Sequence, residues 1–470
     1  MTLKFALPAG DPRRLLNELL GNAGIATPGY EPDSRVLRSV HEESGMTIRV
    51  FREKDIPIQV AMGNYHLGIA TDVWLAELAA RFPQQHIVRL GSLPGMRSEL
   101  WLCAAPESGL REGQVPAGPA LAGARIVSEF PSLADLVAIR LRIPAYRLLT
   151  VYGSADAYPP EDADLVLMPA AGAEAVRAKG LVPLQRIFAG GLQLIANTDA
   201  LATQDLGPVL SRLSPLLTAD RPELSLPDGD HSLTIVRGQR DYNTLRLAVP
   251  DGHAQRYAPE ILRKIGLTLD GYDEKAYVRR PTSDLPGLSV KVIRPQDMPQ
   301  FLAMGLFDLG ISGIDLLHEH VCKFPSSPVA MAVDLGINRY RIGPVVDKDF
   351  PVDTTAEAVA IWNNLGRPVR IASEFPATAE RFALEQHLRH STIIPVAGAS
   401  EGFVPEDADF LVEGTETGTS IRANGLKMLD PFMEATSCVV WRTEPVTTQT
   451  ALMHDLVARL RASVAAPAEA

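Results

Sequence analysis

This sequence predicts an α/β fold made of two tandem, two-lobed units, and three observations lead there. The first is a duplication. Arg125–Leu181 and Arg370–Leu426 align without a gap, "RIVSEFP" facing "RIASEFP" and "VRAKGL" facing "IRANGL". Earlier, "LKFALPAG" from Leu3 answers "LRLAVPDG" from Leu245, and "FREKDIPIQVAMGNYHLGIA" from Phe51 answers "IRPQDMPQFLAMGLFDLGIS" from Ile293. Self-similarity this extended marks a repeated structural unit. The second observation is the alternation of short aliphatic runs with longer amphipathic stretches. That pattern builds an open sheet covered by helices, with ligands beyond the carboxyl ends of the strands. The third is size. About 220 residues per unit exceed one compact layer and predict two lobes with a binding cleft between them.

In chain order, the first unit covers residues 1–217 and the second 244–465. "TADRPELSLPDGDHSLTIVRGQRDYNT", from Thr218, is rich in Pro, Gly, Asp and Ser, so residues 218–243 read as a linker running over the surface. As a flexible coil it would span about 25–30 Å. Strand candidates in the second unit are "LRLAV", "SVKVI", "DLGIS", "YRIGPVV", "VRIAS", "TIIPVA", "DFLVEG" and "SCVVW". Between them lie helical patterns such as "MPQFLAMGL" and "TAERFALEQHL". The terminal "VAAPAEA" reads as frayed.

Bulk properties narrow the function. With 470 residues, 46% hydrophobic and 21% charged, the chain has an ordinary globular composition. A formal charge of -11 argues against a nucleic-acid or anionic-membrane surface, though not against a local cationic pocket. Cys103, Cys322 and Cys438 form no CxxC pair and read as buried thiols. The N-terminus lacks a signal-peptide pattern and no apolar run is long enough to span a bilayer, which predicts a cytoplasmic protein. The histidines make no metal-ligand pattern, and "HEH" at 318–320 reads as an exposed helix face.

One stretch stands apart. "ADFLVEGTETGTSIRANGL" reads as a buried strand (Phe410–Val412), a tight loop, and a helix from about Thr419. Gly414 and Gly418 permit turns that aim successive N–H groups at one point, and Thr415, Thr417, Thr419 and Ser420 add hydroxyls. With the helix N-terminus, these fit a phosphate monoester without a lysine. Glu413 stands where a carboxylate would accept from the hydroxyls of a ribose. The alternative is a capped helix after a turn, which favours the same residue types. Arg294 and Asp297, like their counterparts Arg52 and Asp55, fit either a supporting ion pair or the cleft. "PEDAD" occurs twice, at Pro160–Asp164 and Pro405–Asp409, and its acids read as capping a turn rather than binding metal.

The second unit resembles the catalytic domain of the histidine-pathway ATP phosphoribosyltransferase over nearly its whole length. "LRLAVPDG", "RPQDMP", "DLGISGIDLL", "DLGINR", "RIASEFP" and "EGTETGTSIRANGL" match that family's segments in order. The resemblance implies two-lobed units similar to type II periplasmic binding proteins. It also implies transfer of a phosphoribosyl group from phosphoribosyl pyrophosphate to N1 of ATP, with Mg2+ brought by the pyrophosphate. The small-molecule substrates would place the 5-phosphate on Thr417–Ser420 and the ribose on Glu413, with Arg294 and Arg339 neutralising phosphates. Asp297 and Glu401 (in "GASEG") are further contact candidates. Left open are another nucleobase-like acceptor and a non-catalytic binding or regulatory role.

Two departures matter. The family's P-K-G-R loop is "PAGD" at Pro8 and "PDGH" at Pro250, so a cation is missing, with Arg246, Arg294, Arg339 or Arg341 as replacements. In the first unit, the loop residues become Met168, Pro169, Ala170, Gly172, Ala173, Glu174 and Ala175. Leu100 is expected opposite Arg339, and His66 opposite Asp308. The first unit is therefore not expected to bind phosphoribosyl pyrophosphate. Its expected place is in an internal pseudo-dimer, with further homo-oligomerisation open.

Overall fold

The computed structural model describes residues 2–41, 46–273 and 278–465. In the second unit, the first lobe is a sheet in the order Leu288–Ile293, Leu245–Pro250, Leu309–Gly313, Ser437–Arg442, Val329–Asp334. Every residue of Leu245–Pro250 is buried, as expected of a central strand paired in parallel on both sides and covered on both faces. The second lobe orders Ser391–Pro395, Val369–Ser373, Phe410–Thr415, Tyr340–Asp347 and Leu426–Met428, with Met433–Ala435 also on Tyr340–Asp347. The chain crosses between lobes twice, after Asp334 and after Ala435. Asn338, at φ 53°, turns the first crossing, a left-handed conformation that Asn tolerates better than most residues.

The first unit repeats these elements but omits the break. Ile87–Ala104 and Val182–Asn197 pass through both lobes and pair antiparallel along their length, joining the lobes into one ten-stranded sheet. Register shifts near Arg89, Leu93, Leu100 and Leu102 absorb the bend. Gly190 lets the helix start at Asp72 approach this strand, where a Cβ would collide with the Asp72 side chain. The Asp72 carboxylate accepts the Gly191 N–H at 3.0 Å.

The units dock head to tail, the first lobe of each on the second lobe of the other. Phe51, Ile56 and Tyr65 pack with Phe403, Val404 and Leu411 on one side. Tyr158, Val166 and Met168 pack with Ile293, Met298 and Phe301 on the other. Glu161, Asp162, Glu406 and Asp407 of the two "PEDAD" segments belong to this interface, which corrects the turn-capping expectation for them. Asp162 is buried, holds the Lys291 ammonium at 2.6 Å and is gripped by both terminal nitrogens of Arg246. Its counterpart Asp407 accepts from Tyr65 Oη at 2.6 Å and Lys4 Nζ at 3.2 Å. Only Asp164 and Asp409 stay local, pairing with Arg125 and Arg367.

The connector is no free coil. Glu223–Leu224 adds a short strand beside Phe188–Ala189, Ser92 bridges Thr218, and Pro116 bridges Asp230. Arg125 donates to the Gly238 carbonyl at 3.1 Å. Backbone groups that a flexible linker would leave to water are paired along the first unit. No helix among the described residues is long and apolar enough to cross a membrane.

Candidate active site

Between the lobes of the second unit lies a cleft of about 520 Å³. Its walls come from the carboxyl ends of strands, as the topology requires: Asp251 after Leu245–Pro250, Arg294 after Leu288–Ile293, Glu374 after Val369–Ser373, and Gly414–Glu416. Tyr152, from the first unit, closes one side.

Of the 413–420 loop, Gly414, Thr415 and Glu416 line this cleft, while Glu413 and residues 417–420 lie outside its lining, as does Glu401. Thr415 Oγ1 accepts the Gly418 N–H at 2.8 Å, and Thr417 and Thr419 hydroxyls lie 2.8 Å apart at an exposed position. Gly418 is left-handed at φ 70°, a conformation a side chain would strain. The helix that follows, Thr419–Ala423, has five residues, so its dipole is slight and the loop's donors are its amides and hydroxyls. Both readings of the loop therefore hold together: Thr415 ties the turn, while Thr417 and Thr419 remain available.

Behind the loop, Glu413, Glu401 and Glu374 form a carboxylate cluster. Glu413 accepts from the Ser400 hydroxyl and from the Gly414 N–H at 3.0 Å. Desolvation, then repulsion from Glu374 and Glu401, pushes its carboxyl up to about 8. Desolvation also raises Glu401 and Glu374, the latter partly offset by the Arg52 guanidinium of the first unit. A raised carboxyl contributes stability in full below its ordinary value and loses it as pH rises through the folded-state value. The unliganded protein is thus expected to lose stability from about pH 4.5 to about pH 8. Glu413→Gln should flatten that trend, as unfolding midpoints across the range will show. An unchanged slope would remove Glu413 from the cluster.

The remaining candidates separate. Arg294 lines the cleft, with Nη1 3.3 Å from Asp251 and Nε without a hydrogen-bond partner. Asp297 is buried at the junction of the units, accepting the Tyr152 N–H at 3.2 Å, and does not pair with Arg294. Arg339 sits at the rim, 64% exposed and 3.1 Å from Glu434, while its neighbours Asn338 and Tyr340 line the cleft. Of the replacement cations, Arg246 is taken by Asp162 and Arg341 is exposed outside the cleft lining. Arg279 joins Arg294 on Asp251, at 3.1 Å. "HEH" is not an exposed face: His320 is buried, 2.7 Å from Ser327, and Glu319 accepts the Ala377 and Thr378 N–H groups across the cleft. Cys103 and Cys438 are buried, whereas Cys322 is half-buried, its Sγ 3.7 Å from His318.

Sequence reasoning missed the first unit's share. Asp55 Oδ2 accepts the Ala397 N–H at 2.8 Å, and Arg52 stands against Gly398, where a Cβ would lie 2.8 Å from its Nε. The signal was present in the repetition of "REKDIP" and "RPQDMP". In each motif the aspartate, Asp55 or Asp297, accepts a backbone N–H of the opposite unit.

The first unit's own loop carries no comparable donors. Glu174 points to Arg177 at 2.5 Å. Strand register also corrects one expectation. Leu100 pairs with Pro169 as Ile342 pairs with Gly414, so Arg97, not Leu100, occupies the position of Arg339.

Comparison with known proteins agrees with this anatomy. The profile of the HisG family, ATP phosphoribosyltransferase, matches residues 52–215 and again 294–462. The ATP phosphoribosyltransferase of Bordetella pertussis is 29% identical over 232 residues, covering 49% of this chain and 93% of that protein. That of Methanothermobacter thermautotrophicus is 28% identical over 221 residues, covering 46% and 71%. Among solved structures, the ATP phosphoribosyl transferase (HisG:HisZ) complex from Thermotoga maritima aligns at 23% identity and TM-score 0.38, over 47% of this chain and 98% of that one. With the profile matched twice, together over more than half of its residues, the chain belongs to the ATP phosphoribosyltransferase family.

Proposed function

We propose that the second unit carries out the family's transfer, N1 of ATP attacking C1 of phosphoribosyl pyrophosphate with loss of pyrophosphate, and that the first unit is its covalently joined partner in an internal pseudo-dimer. The observation that carries this reading is the asymmetry of the two loops. Thr415, Thr417, Thr419 and Ser420 stand in the second unit's loop, while Ala170, Gly172, Glu174 and Ala175 stand in the first. The 5-phosphate is assigned to residues 417–420 and the ribose hydroxyls to Glu413, with Glu401 behind it.

No covalent nucleophile is required, because the ribosyl transition state is cation-like and pyrophosphate is a stable leaving group. Catalysis then rests on positioning and electrostatics. Arg294 and Arg279 supply positive charge beside the first loop, where the family's lysine and arginine are absent, and Arg52 adds charge from the first unit. Arg339 at the rim is assigned to incoming phosphates. Asp297 positions Tyr152 rather than touching substrate. No group of His, Cys, Asp and Glu among the described residues forms a metal cage, so Mg2+ is assigned to the pyrophosphate oxygens with which it enters.

The test is pyrophosphate release from phosphoribosyl pyrophosphate with ATP, then with other purines. Release with ATP supports the reading; release only with another purine would replace the acceptor, and none at all would leave a binding protein. Thr419→Ala and Gly418→Glu are expected to weaken phosphoribosyl pyrophosphate binding by about 1–3 kcal/mol, the usual cost of lost hydrogen bonds to a charged group. Wild-type affinity in calorimetric titration of both variants would sink the loop assignment.

A further inference from the structure

The first unit keeps a cavity of its own, about 380 Å³, between its helix Asp72–Arg81 and the segment Thr150–Tyr152. By the repeat register it corresponds to one end of the second unit's cleft: Trp74 replaces Leu316, Arg81 replaces Lys323, Phe82 replaces Phe324 and Glu129 replaces Glu374. The end that would face the phosphate loop is gone. Trp74 packs at a tilt against Phe130, ring centroids 4.5 Å apart, and the crossing strands are zipped into one sheet.

What remains has a definite chemistry. Lys54 and Arg81 line the cavity, and neither pairs with a carboxylate among the described residues. Each instead sits over an aromatic ring, Lys54 5.2 Å from the Tyr152 centroid and Arg81 5.2 Å from Phe82. The acids around them are largely committed. Glu77 accepts the Ser132 and Leu133 N–H groups at 2.8 and 2.9 Å, and Asp55 accepts that of Ala397. Burial raises the Glu129 carboxyl, with Arg294, Lys179 and Lys54 acting against that rise. The cavity thus offers flat apolar walls at Trp74 and Phe82 and two positive charges without a salt bridge among the described residues, Lys54 lying in the field of Asp55, Glu129 and Glu374. A phosphate dianion would need more donors than these and would meet Glu129 at close range; a single carboxylate needs no more than Lys54 and Arg81.

We propose that the first unit's cavity is a second ligand site, built for a small molecule with a flat aromatic or heteroaromatic ring and one carboxylate, and coupled to the second unit's cleft through Tyr152. Tyr152 lines both cavities, its ring carries Lys54, and its N–H is held by Asp297 of the second unit. A ligand that draws Lys54 away from Tyr152 changes the wall of the catalytic cleft. Binding at this site is independent of the activity proposed above; the coupling rests on it.

The test titrates the full-length chain calorimetrically with phenylacetate, indole-3-acetate and nicotinate, each beside its amide. At least one carboxylate is expected to bind one-to-one, at least ten-fold tighter than its amide. Arg81→Gln should weaken that carboxylate ten-fold or more, while the matching change in the other unit, Lys323→Gln, leaves it unaltered. The site is overturned if no carboxylate binds, if amides bind equally, or if Lys323→Gln is the change that abolishes binding. With the carboxylate bound, KM for phosphoribosyl pyrophosphate is expected to shift at least two-fold in the wild-type chain and not in Arg81→Gln. An unmoved KM in a chain that turns over and binds the carboxylate would overturn the coupling alone.

Discussion

Asp162→Ala is expected to destabilise the folded chain by about 3–5 kcal/mol, the range for removing one partner from a buried ion pair. The reason lies in what stays behind. Lys291 and Arg246 are only 1% and 5% exposed, and Asp162 itself 3%. Burial alone would raise the Asp162 carboxyl, but the Lys291 and Arg246 charges more than offset this and hold it below its ordinary value. Without it, Glu161 still reaches Lys291 at 2.6 Å but stands 3.7 Å from Arg246, so one cation loses its main anion. The counterpart Asp407→Ala should cost less, about 1–3 kcal/mol, because it strands mainly the neutral Tyr65 hydroxyl. Its cationic partner Lys4 is 28% exposed and can rehydrate. Denaturant unfolding of the two variants side by side checks this; equal costs would refute the argument from burial. Replacing Asp162, Lys291 and Arg246 together by apolar residues of similar volume should recover much of the loss, since the desolvation cost goes with the charges.

The second unit alone, residues 244–470, is expected to be poorly soluble or inactive, and to regain activity when the first unit is supplied in trans. Separation uncovers Ile293, Met298 and Phe301 on one lobe and Phe403, Val404 and Leu411 on the other, faces now buried against the first unit. Exposed apolar patches of that kind drive association. Separation also strips Tyr152 from the second unit's cleft and Arg52 from beside Glu374, and leaves Arg246 and Lys291 without Asp162. Covalent joining maintains the partner at an effective concentration in the millimolar range, so free first unit has to be added in excess to compete. Size-exclusion chromatography and pyrophosphate release on the separate halves decide the matter. A soluble, monomeric and fully active second unit would end the partner reading and leave the first unit only its ligand site.

Much of this protein was legible in its sequence because the relevant signals are local or repeated. Alternating aliphatic runs record which strands are buried, so the strand candidates of the second unit all correspond to strands. The duplication shows itself by identity at fixed spacing, and the contrast between "EGTETGTS" and "MPAAGAEA" locates the loop chemistry without any coordinates. Two of the three clustered carboxylates, Glu401 and Glu413, are legible from their motifs, whereas Glu374 in "RIASEFP" carries no local signal.

Only the tertiary structure decided which unit each motif serves. Arg52 and Asp55 lie more than 300 positions from the Ala397–Gly398 segment they meet, and Asp162 lies 129 positions from Lys291. Such contacts arise when two finished surfaces dock, and docking leaves no periodicity in the chain. The strand ladder also settles which residue faces Arg339: Leu100 pairs with Pro169 as Ile342 pairs with Gly414, so Arg97, three residues earlier, holds that place. Arg339 illustrates the last limit. Its neighbours face the cleft while it points to Glu434 on the rim, a choice made by the turn at Asn338 and not by residue type. Local composition determined what chemistry the chain carries; the packing of one unit on the other determined where that chemistry is brought together.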